Sequence, residues 1–253
     1  MSLKTPRWHL DVYSKDTLPL TIASPKFNRI AYQEARFVSE KLKLKKGDTI
    51  LDVPCGTGRH ARFFATSGLK VTAIDINPTC LSWAREYTNG LPIQYLRGNM
   101  GDLKRFRGKF DALANLFTSF GYFETEEENA AVMKEFYSAL KPGGRIALCL
   151  INKDWLLKVF KPVVETRLGK ETIVEAREYD AKTSTVSAHW FHLSANRRKA
   201  RVYYNRLRIY GKSDLVSLMK QVGFKKIEVF GNYQNERFSR FQSTHPIYVG
   251  WKE

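Results

Sequence analysis

A chain of 253 residues with 43% hydrophobic and 13% aromatic content has the apolar material for a full core in one domain with a small appendage, which excludes a disordered or fibrous protein. No run approaches the roughly 18 apolar residues that span a bilayer, and the N-terminal MSLKTPRWHLDVYSK lacks the apolar centre of a signal peptide, so a cytoplasmic protein with no membrane partner is expected. The formal charge of +17 attracts anions, acidic surfaces or nucleic acid, although a Lys-rich surface also serves solubility. Cys55, Cys80 and Cys149 are scattered and form no CxxC pair, which reads as reduced, buried thiols rather than a disulfide framework or a zinc site.

Apolar period and turn residues alternate along the chain. Ser24 and Pro25 read as the N-cap and first residue of a helix whose apolar face is Ile30, Ala31, Ala35, Val38 and Leu42, ending before Gly47. DTILDV is a strand, ARFFATSG a helix closed by Gly68, and KVTAID a second strand. Asn77 and Pro78 open a helix through Tyr87, and PIQYLRG follows as a strand. FDALANLF is a fourth strand, Thr125 and Glu128 form a capping box for a helix to Leu140, KPGG is a turn, and RIALCLI a fifth strand. This repeated order predicts a parallel sheet covered on both faces.

After residue 152 the pattern changes. IVEAREYD, TVSAHWFHLS and ARVYYNRLRIY are β-rich runs with no long helix between them, which predicts an antiparallel meander inserted after strand five. The main fold then resumes with a helix capped by Ser213 and ended by Gly223, followed by strands KIEVF and PIYVGW. The expected division is residues 1–152 for the N-terminal helices and core, 153–212 for the inserted sheet, and 213–253 for completion of the core.

ILDVPCGTGRHA, residues 50–61, carries the chemistry. Its strand delivers Asp52 to the carboxyl edge of the sheet, and Gly56 and Gly58 turn the backbone tightly into the next helix. Asp75 closes the second strand 23 residues after Asp52, near the spacing at which a carboxylate accepts from both ribose hydroxyls of a nucleotide.

LDVPCGTG, Asp75, GNM at 98–100 and LKPGG at 140–144, in this order, resemble the class I S-adenosylmethionine-dependent methyltransferases. The resemblance implies an α/β, Rossmann-like seven-stranded sheet with an antiparallel last strand, and S-adenosyl-L-methionine as cofactor, leaving as S-adenosyl-L-homocysteine. It places cofactor contacts at Asp52, Gly56, Thr57, Gly58, Asp75, Ile76, Asn99, Met100, Asn115 and Leu116. Asn99 departs from the Asp often found there, and its carbonyl can still accept from an adenine amino group.

LANLFTSFGYF at 113–123 and RIYGKSDLVSLMKQVGF at 208–224 resemble a subgroup that methylates small molecules, often at nitrogen, beneath a sheet inserted after strand five. The expected function is N- or O-methylation of a small polar molecule by in-line transfer. Tyr122 and Glu124 are the catalytic candidates, and Phe117, Phe120, His189, His192, Arg208 and Tyr210 the lid candidates, with packing roles as the alternative for each. Tyr13 and Tyr32 are candidates to cover the cofactor. The five histidines show no ligand spacing; His189 and His192, three apart on a strand, fall on opposite faces, so no metal is expected.

RRKARVYYNRLR at 197–208 suits phosphate contact and base stacking, or else alternates into a wet basic face opposite an apolar one. An RNA methyltransferase would account for the charge, yet NLFT stands where an NPPY-type motif would follow strand four. A nicotinamide-dependent oxidoreductase would use the same crevice but needs a second nucleotide-binding half.

Overall fold

The computed structural model describes Tyr13 and residues 25–168, 170–193 and 200–253. The first described helix, α1 (Pro25–Lys41), leads into β1 (Thr49–Asp52), α2 (Arg59–Thr66), β2 (Lys70–Asp75), α3 (Pro78–Tyr87), β3 (Ile93–Arg97), β4 (Phe110–Asn115), α4 (Glu126–Ala139) and β5 (Leu140–Cys149). There follow α5 (Lys153–Lys158), the strands β6 (Val163–Leu168), β7 (Glu171–Asp180), β8 (Thr185–Leu193) and β9 (Ala200–Arg208), then α6 (Lys212–Val222), β10 (Lys225–Phe230) and β11 (Ile247–Trp251).

Seven strands form one sheet in the order β10-β11-β5-β4-β1-β2-β3. β1 to β5 are parallel, and β11 runs antiparallel to both its neighbours. Strand period two sorts the apolar residues into two layers: Leu51, Leu113, Ile146 and Leu148 pack with Val132, Phe136, Leu215 and Met219 of α4 and α6. Ile50, Ala112, Ala114 and Ala147 pack on the other face with Val38, Phe64 and Leu81 of α1, α2 and α3. Both faces are therefore covered, as a sheet of near-continuous apolar strands requires. The chain leaves β1 in one direction to β2 and reaches β4 on the other side, so a crevice opens beyond the carboxyl ends of β1 and β4.

A second sheet, order β6-β7-β8-β9, is a fully antiparallel meander. Its cross-strand rows fix what each face carries: Glu175, Trp190 and Tyr203 form one row and Arg177, Ala188 and Asn205 the next on the same face. His189 pairs with Ala176 and Tyr204 on the opposite face.

Several sequence expectations shift. The cap of α6 is Gly211, whose amide donates to the Asp214 side chain at 3.2 Å, not Ser213. LKPGG belongs to β5, where the register against β4 slips between Phe110 and Ala112 and Gly143 takes φ 77°. The short helix α5 and the edge strand β6 were not expected. In β9 Arg206 and Arg208 share one face, alternating with Asn205 and Leu207, and both reach residues 124–126 of the core, whereas Arg201 falls on the other face, so the described cations do not form a single basic face. Ser24, Arg197 and Arg198 lie outside the described residues.

Candidate active site

The turn after β1 is held by the strands around it. The Val53 amide donates to the Ala114 carbonyl at 3.0 Å and the Cys55 amide to Ile74 at 2.9 Å, so the turn is pinned between β4 and β2. Gly56 and Gly58 adopt φ 54° and 74°, the left-handed region that glycine enters without strain. Asp75 completes the frame: Oδ2 accepts from the Gly56 amide and Oδ1 from the Asn77 amide, each at 2.8 Å. Asn77 in turn caps α3, accepting from Thr79 and Cys80, while its Nδ2 donates to the Tyr13 carbonyl.

Burial raises two carboxyl pKa values here. Asp52 is pushed up to about 7 by desolvation, opposed by Arg59 and reinforced by Asp75. Asp75 is pushed up to about 6 by desolvation, against the backbone amides that favour its charged form. Asp52 Oδ2 and Asn115 Oδ1 are enclosed and make no hydrogen bond among the described residues.

The resulting cleft is walled by Val53 and the Cys55–Thr57 turn, by Ile74 to Asn77, by Gly98 to Met100, and by Leu116, Phe117, Ser119, Tyr122 and Phe123, with Tyr13 across it. Of the expected cofactor contacts, Gly56, Thr57, Asp75, Ile76, Asn99, Met100 and Leu116 line it. Asp52, Gly58 and Asn115 do not line it. Asn115 is fully buried and donates to the Val53 carbonyl at 2.8 Å, and a Cβ on Gly58 would meet the Tyr95 hydroxyl at 2.4 Å. These three support the floor. Asn99 Oδ1 accepts from the Gly101 amide at 2.9 Å, which uses one of its two lone pairs.

Sequence reasoning missed Arg59 and His60, which also line the cleft from the first turn of α2. Both bind one carboxylate oxygen of Glu34, Arg59 Nη1 at 2.9 Å and His60 Nε2 at 2.6 Å. Desolvation lowers His60 to about 4, so it is neutral at pH 7. The Arg59 guanidinium lies 4.6 Å from the Phe117 ring centroid. Phe117 and Thr118 have φ of 61° and 55°, conformations that β-branched and aromatic residues seldom adopt, held by Thr118 N donating to Cys149 O and Thr118 Oγ1 accepting from Ile151 N.

A second cavity adjoins the first and shares Tyr13, Phe117 and Tyr122 with it. Ile151, Leu156, Phe160 and His245 close it from the core side, and Glu175, Arg177, Val186, Ala188, Trp190, Asn205, Leu207 and Ile209 from the inserted sheet. The polar members of this wall were missed because only the cross-strand register reveals which residues share its face.

The catalytic and lid candidates divide accordingly. Tyr122 lines both cavities, and burial raises its phenol pKa. Glu124 lines neither: its side chain is exposed and its carbonyl accepts from Arg206 at 2.9 Å. Phe117 lines both cavities, whereas Phe120 is buried in the core against Phe136 and Tyr210. His189 stacks on Tyr204 on the outer face, and His192 contacts Glu171. Arg208 pairs with Glu126 at 2.8 Å, and the buried Tyr210 donates to the same carboxylate. These last residues anchor the insert rather than line the cavity. Tyr32 is exposed and packs on Phe63.

A signature described as a methyltransferase domain matches residues 50–144. The glycine/sarcosine N-methyltransferase of Parasynechococcus marenigrum (strain WH8102) is 29% identical over 215 residues, covering 83% of this chain and 74% of that protein. The dTDP-3-amino-3,4,6-trideoxy-alpha-D-glucopyranose N,N-dimethyltransferase of Streptomyces venezuelae is 33% identical over 117 residues, 46% of each, so this chain spans less than half the length of that relative. Among solved structures, the CcbJ methyltransferase from Streptomyces caelestis shares the fold with a TM-score of 0.79 at 22% identity, over 96% of this chain and 95% of that one. Where a nicotinamide enzyme of this layout needs a second nucleotide-binding half, the chain instead forms the β6–β9 meander. The methyltransferase-domain match lies on the strand-turn-helix units that frame the cleft, and the seven-stranded order with its antiparallel β11 is the fold shared with the CcbJ methyltransferase structure, here with an antiparallel sheet added after the fifth strand.

Proposed function

We propose that the chain methylates the amine nitrogen of a small molecule seated between the 117–124 loop and the inserted sheet. The shared wall of the two cavities carries this reading, since Tyr13, Phe117 and Tyr122 bring a methyl donor in one and an acceptor in the other to a common boundary. Nitrogen is favoured over oxygen because the relative aligned over most of this chain, described above, is by name an N-methyltransferase, although shorter matches include ubiquinone biosynthesis O-methyltransferases. In this reading residues 1–152 and 213–253 build the cofactor core and 153–212 the lid over the acceptor.

The cleft suits S-adenosylmethionine. Asp75, fixed by backbone amides at the rim of the cleft, is the carboxylate placed to accept from a ribose hydroxyl, and Asn99 with Met100 provides a polar and an apolar neighbour for adenine. The cofactor supplies a methyl already activated on a cationic sulfur. What remains for the protein is alignment and exclusion of water, the work of the aromatic boundary. Tyr122 stays protonated and orients the acceptor as a neutral hydroxyl, and the amine enters with its lone pair free.

Calorimetry with S-adenosylmethionine, S-adenosylhomocysteine and NAD, followed by transfer of labelled methyl to a panel of small amines and to RNA, tests the proposal. Binding of the two sulfur cofactors with labelling of small amines is expected; labelling of RNA alone overturns it.

A further inference from the structure

The Trp190 indole nitrogen is enclosed, makes no hydrogen bond among the described residues, and belongs to a side chain that lines the acceptor cavity. A buried N–H without an acceptor is costly, and the natural way to relieve it is a ligand oxygen. The cross-strand row places Trp190 directly opposite Glu175, and Arg177 lies on the same face one row away. Arg177 spends Nε and Nη2 on a single Glu175 oxygen, at 2.9 and 2.6 Å, in a pair whose side chains are only 24% and 15% exposed. Among the described residues this neutralises the one carboxylate in the cavity wall and leaves the second edge of the guanidinium fork without a hydrogen-bond partner, in the geometry that suits a carboxylate or phosphate. The facing wall of Ile151, Leu156 and Phe160 is apolar.

We infer that the acceptor is an amine whose apolar body carries an anionic oxygen group, received by Trp190 Nε1 and Arg177 on the inner face of the inserted sheet. The inference rests on the acceptor site of the proposed function and names its substrate class. It also gives the +17 charge a role, because a strongly basic chain raises the local concentration of anionic substrates. A very small amino acid such as glycine offers nothing to the apolar wall, which separates this site from the activity for which the relative described above is named.

The test titrates four probes by calorimetry into the full chain saturated with S-adenosylhomocysteine: benzylamine, 4-(aminomethyl)benzoate, 4-(aminomethyl)phenyl phosphate and glycine. One or both of the anionic ring amines should bind at least about tenfold more tightly than benzylamine and glycine, as a charge-assisted hydrogen bond allows. The tighter of the two identifies carboxylate or phosphate. Trp190→Phe and Arg177→Lys should each shrink that preference about fivefold or more while leaving affinity for S-adenosylhomocysteine unchanged. Equal binding of benzylamine and its anionic forms, preference for glycine, binding of none of the four, or an undiminished preference in both variants overturns the inference. Cofactor-analogue binding is read first: its absence overturns the functional reading and this one together, whereas its presence without an anion preference overturns this one alone.

Discussion

Asp75, at the end of β2, holds the Gly56 amide of the β1 turn at 2.8 Å, so one carboxylate both shapes the glycine turn and borders the cleft. Replacing it removes two things at once. Asp75→Ala leaves the Gly56 and Asn77 amides without their acceptor and takes a ribose partner from the cleft. Affinity for S-adenosylhomocysteine should fall by about tenfold or more, roughly 1.4 kcal/mol, with a loss of unfolding free energy of about 1–3 kcal/mol from the orphaned amides. Calorimetry and urea unfolding read the two effects separately, and unchanged affinity in a folded variant removes Asp75 from the cofactor site.

Asp52 makes stability depend on pH. Its folded pKa is raised from 3.8 to about 7, so the folded protein holds the proton more tightly than the unfolded chain between those values, and stability falls as pH rises through that window. His60, lowered to about 4, acts in the opposite sense between about 4 and 6.5. Comparison of wild type with Asp52→Asn isolates the first effect: the variant's relative stability should increase from pH 4 to pH 7, by a few kcal/mol at most, and then level off. A difference that does not change with pH removes Asp52 as the source.

How much of this was legible in the sequence follows from how local the signals are. The Gly56–Gly58 turn, the strand-ending Asp75 and the Asn77 cap are set by neighbouring residues, so the turn that frames the first cleft could be read directly. The wall of the second cavity is set by strand register, in which a slip of one residue exchanges the two faces. His189 and Trp190 are adjacent, and only the pairing of β8 with β7 and β9 sends Trp190 inward and His189 outward. Phe117 and Phe120 are alike as residue types. The left-handed backbone at Phe117 turns it to the cavities, while Phe120 continues into the core.

Gly58 is required by its neighbours as well as its backbone. A methyl there would stand 2.4 Å from the Tyr95 hydroxyl and 3.1 Å from Ala84 Cβ at a φ of 74°. Gly58→Ala should destabilise by about 1–3 kcal/mol. Tyr95→Phe in the same chain removes the hydroxyl and should restore part of that loss, leaving the backbone strain. Urea unfolding of the single and double variants measures the coupling, and strict additivity rejects the contact.

The insert is tied to the acceptor loop through Glu126, which accepts from Arg208 Nε at 2.8 Å and from the Tyr210 hydroxyl at 3.2 Å. The carboxylate side chain is 43% exposed, so the pair contributes under about 1 kcal/mol to stability. Its larger effect should be positional, because the Arg208 amide also donates to the Gly121 carbonyl, next to Tyr122. Glu126→Gln should raise the KM for the amine acceptor severalfold with little change in cofactor affinity. A change in cofactor affinity alone would contradict the anchoring role.

Tyr122 separates a positioning hydroxyl from a base. Burial raises its pKa above the free phenol, so it does not ionise between pH 6 and 9 and cannot supply a titration to the rate in that range. Tyr122→Phe should lower kcat/KM by about tenfold through loss of one hydrogen bond to the acceptor, while the shape of the pH profile between 6 and 9 stays that of wild type. Tyr122→Ala should cost more, because it also opens the boundary that Tyr122 shares with Tyr13 and Phe117 and admits water to the transfer path. The three profiles, measured at saturating cofactor, decide the matter: loss of a pH-dependent limb in Tyr122→Phe would make the phenol a proton acceptor, and equal rates for Phe and wild type would leave Tyr122 with packing alone.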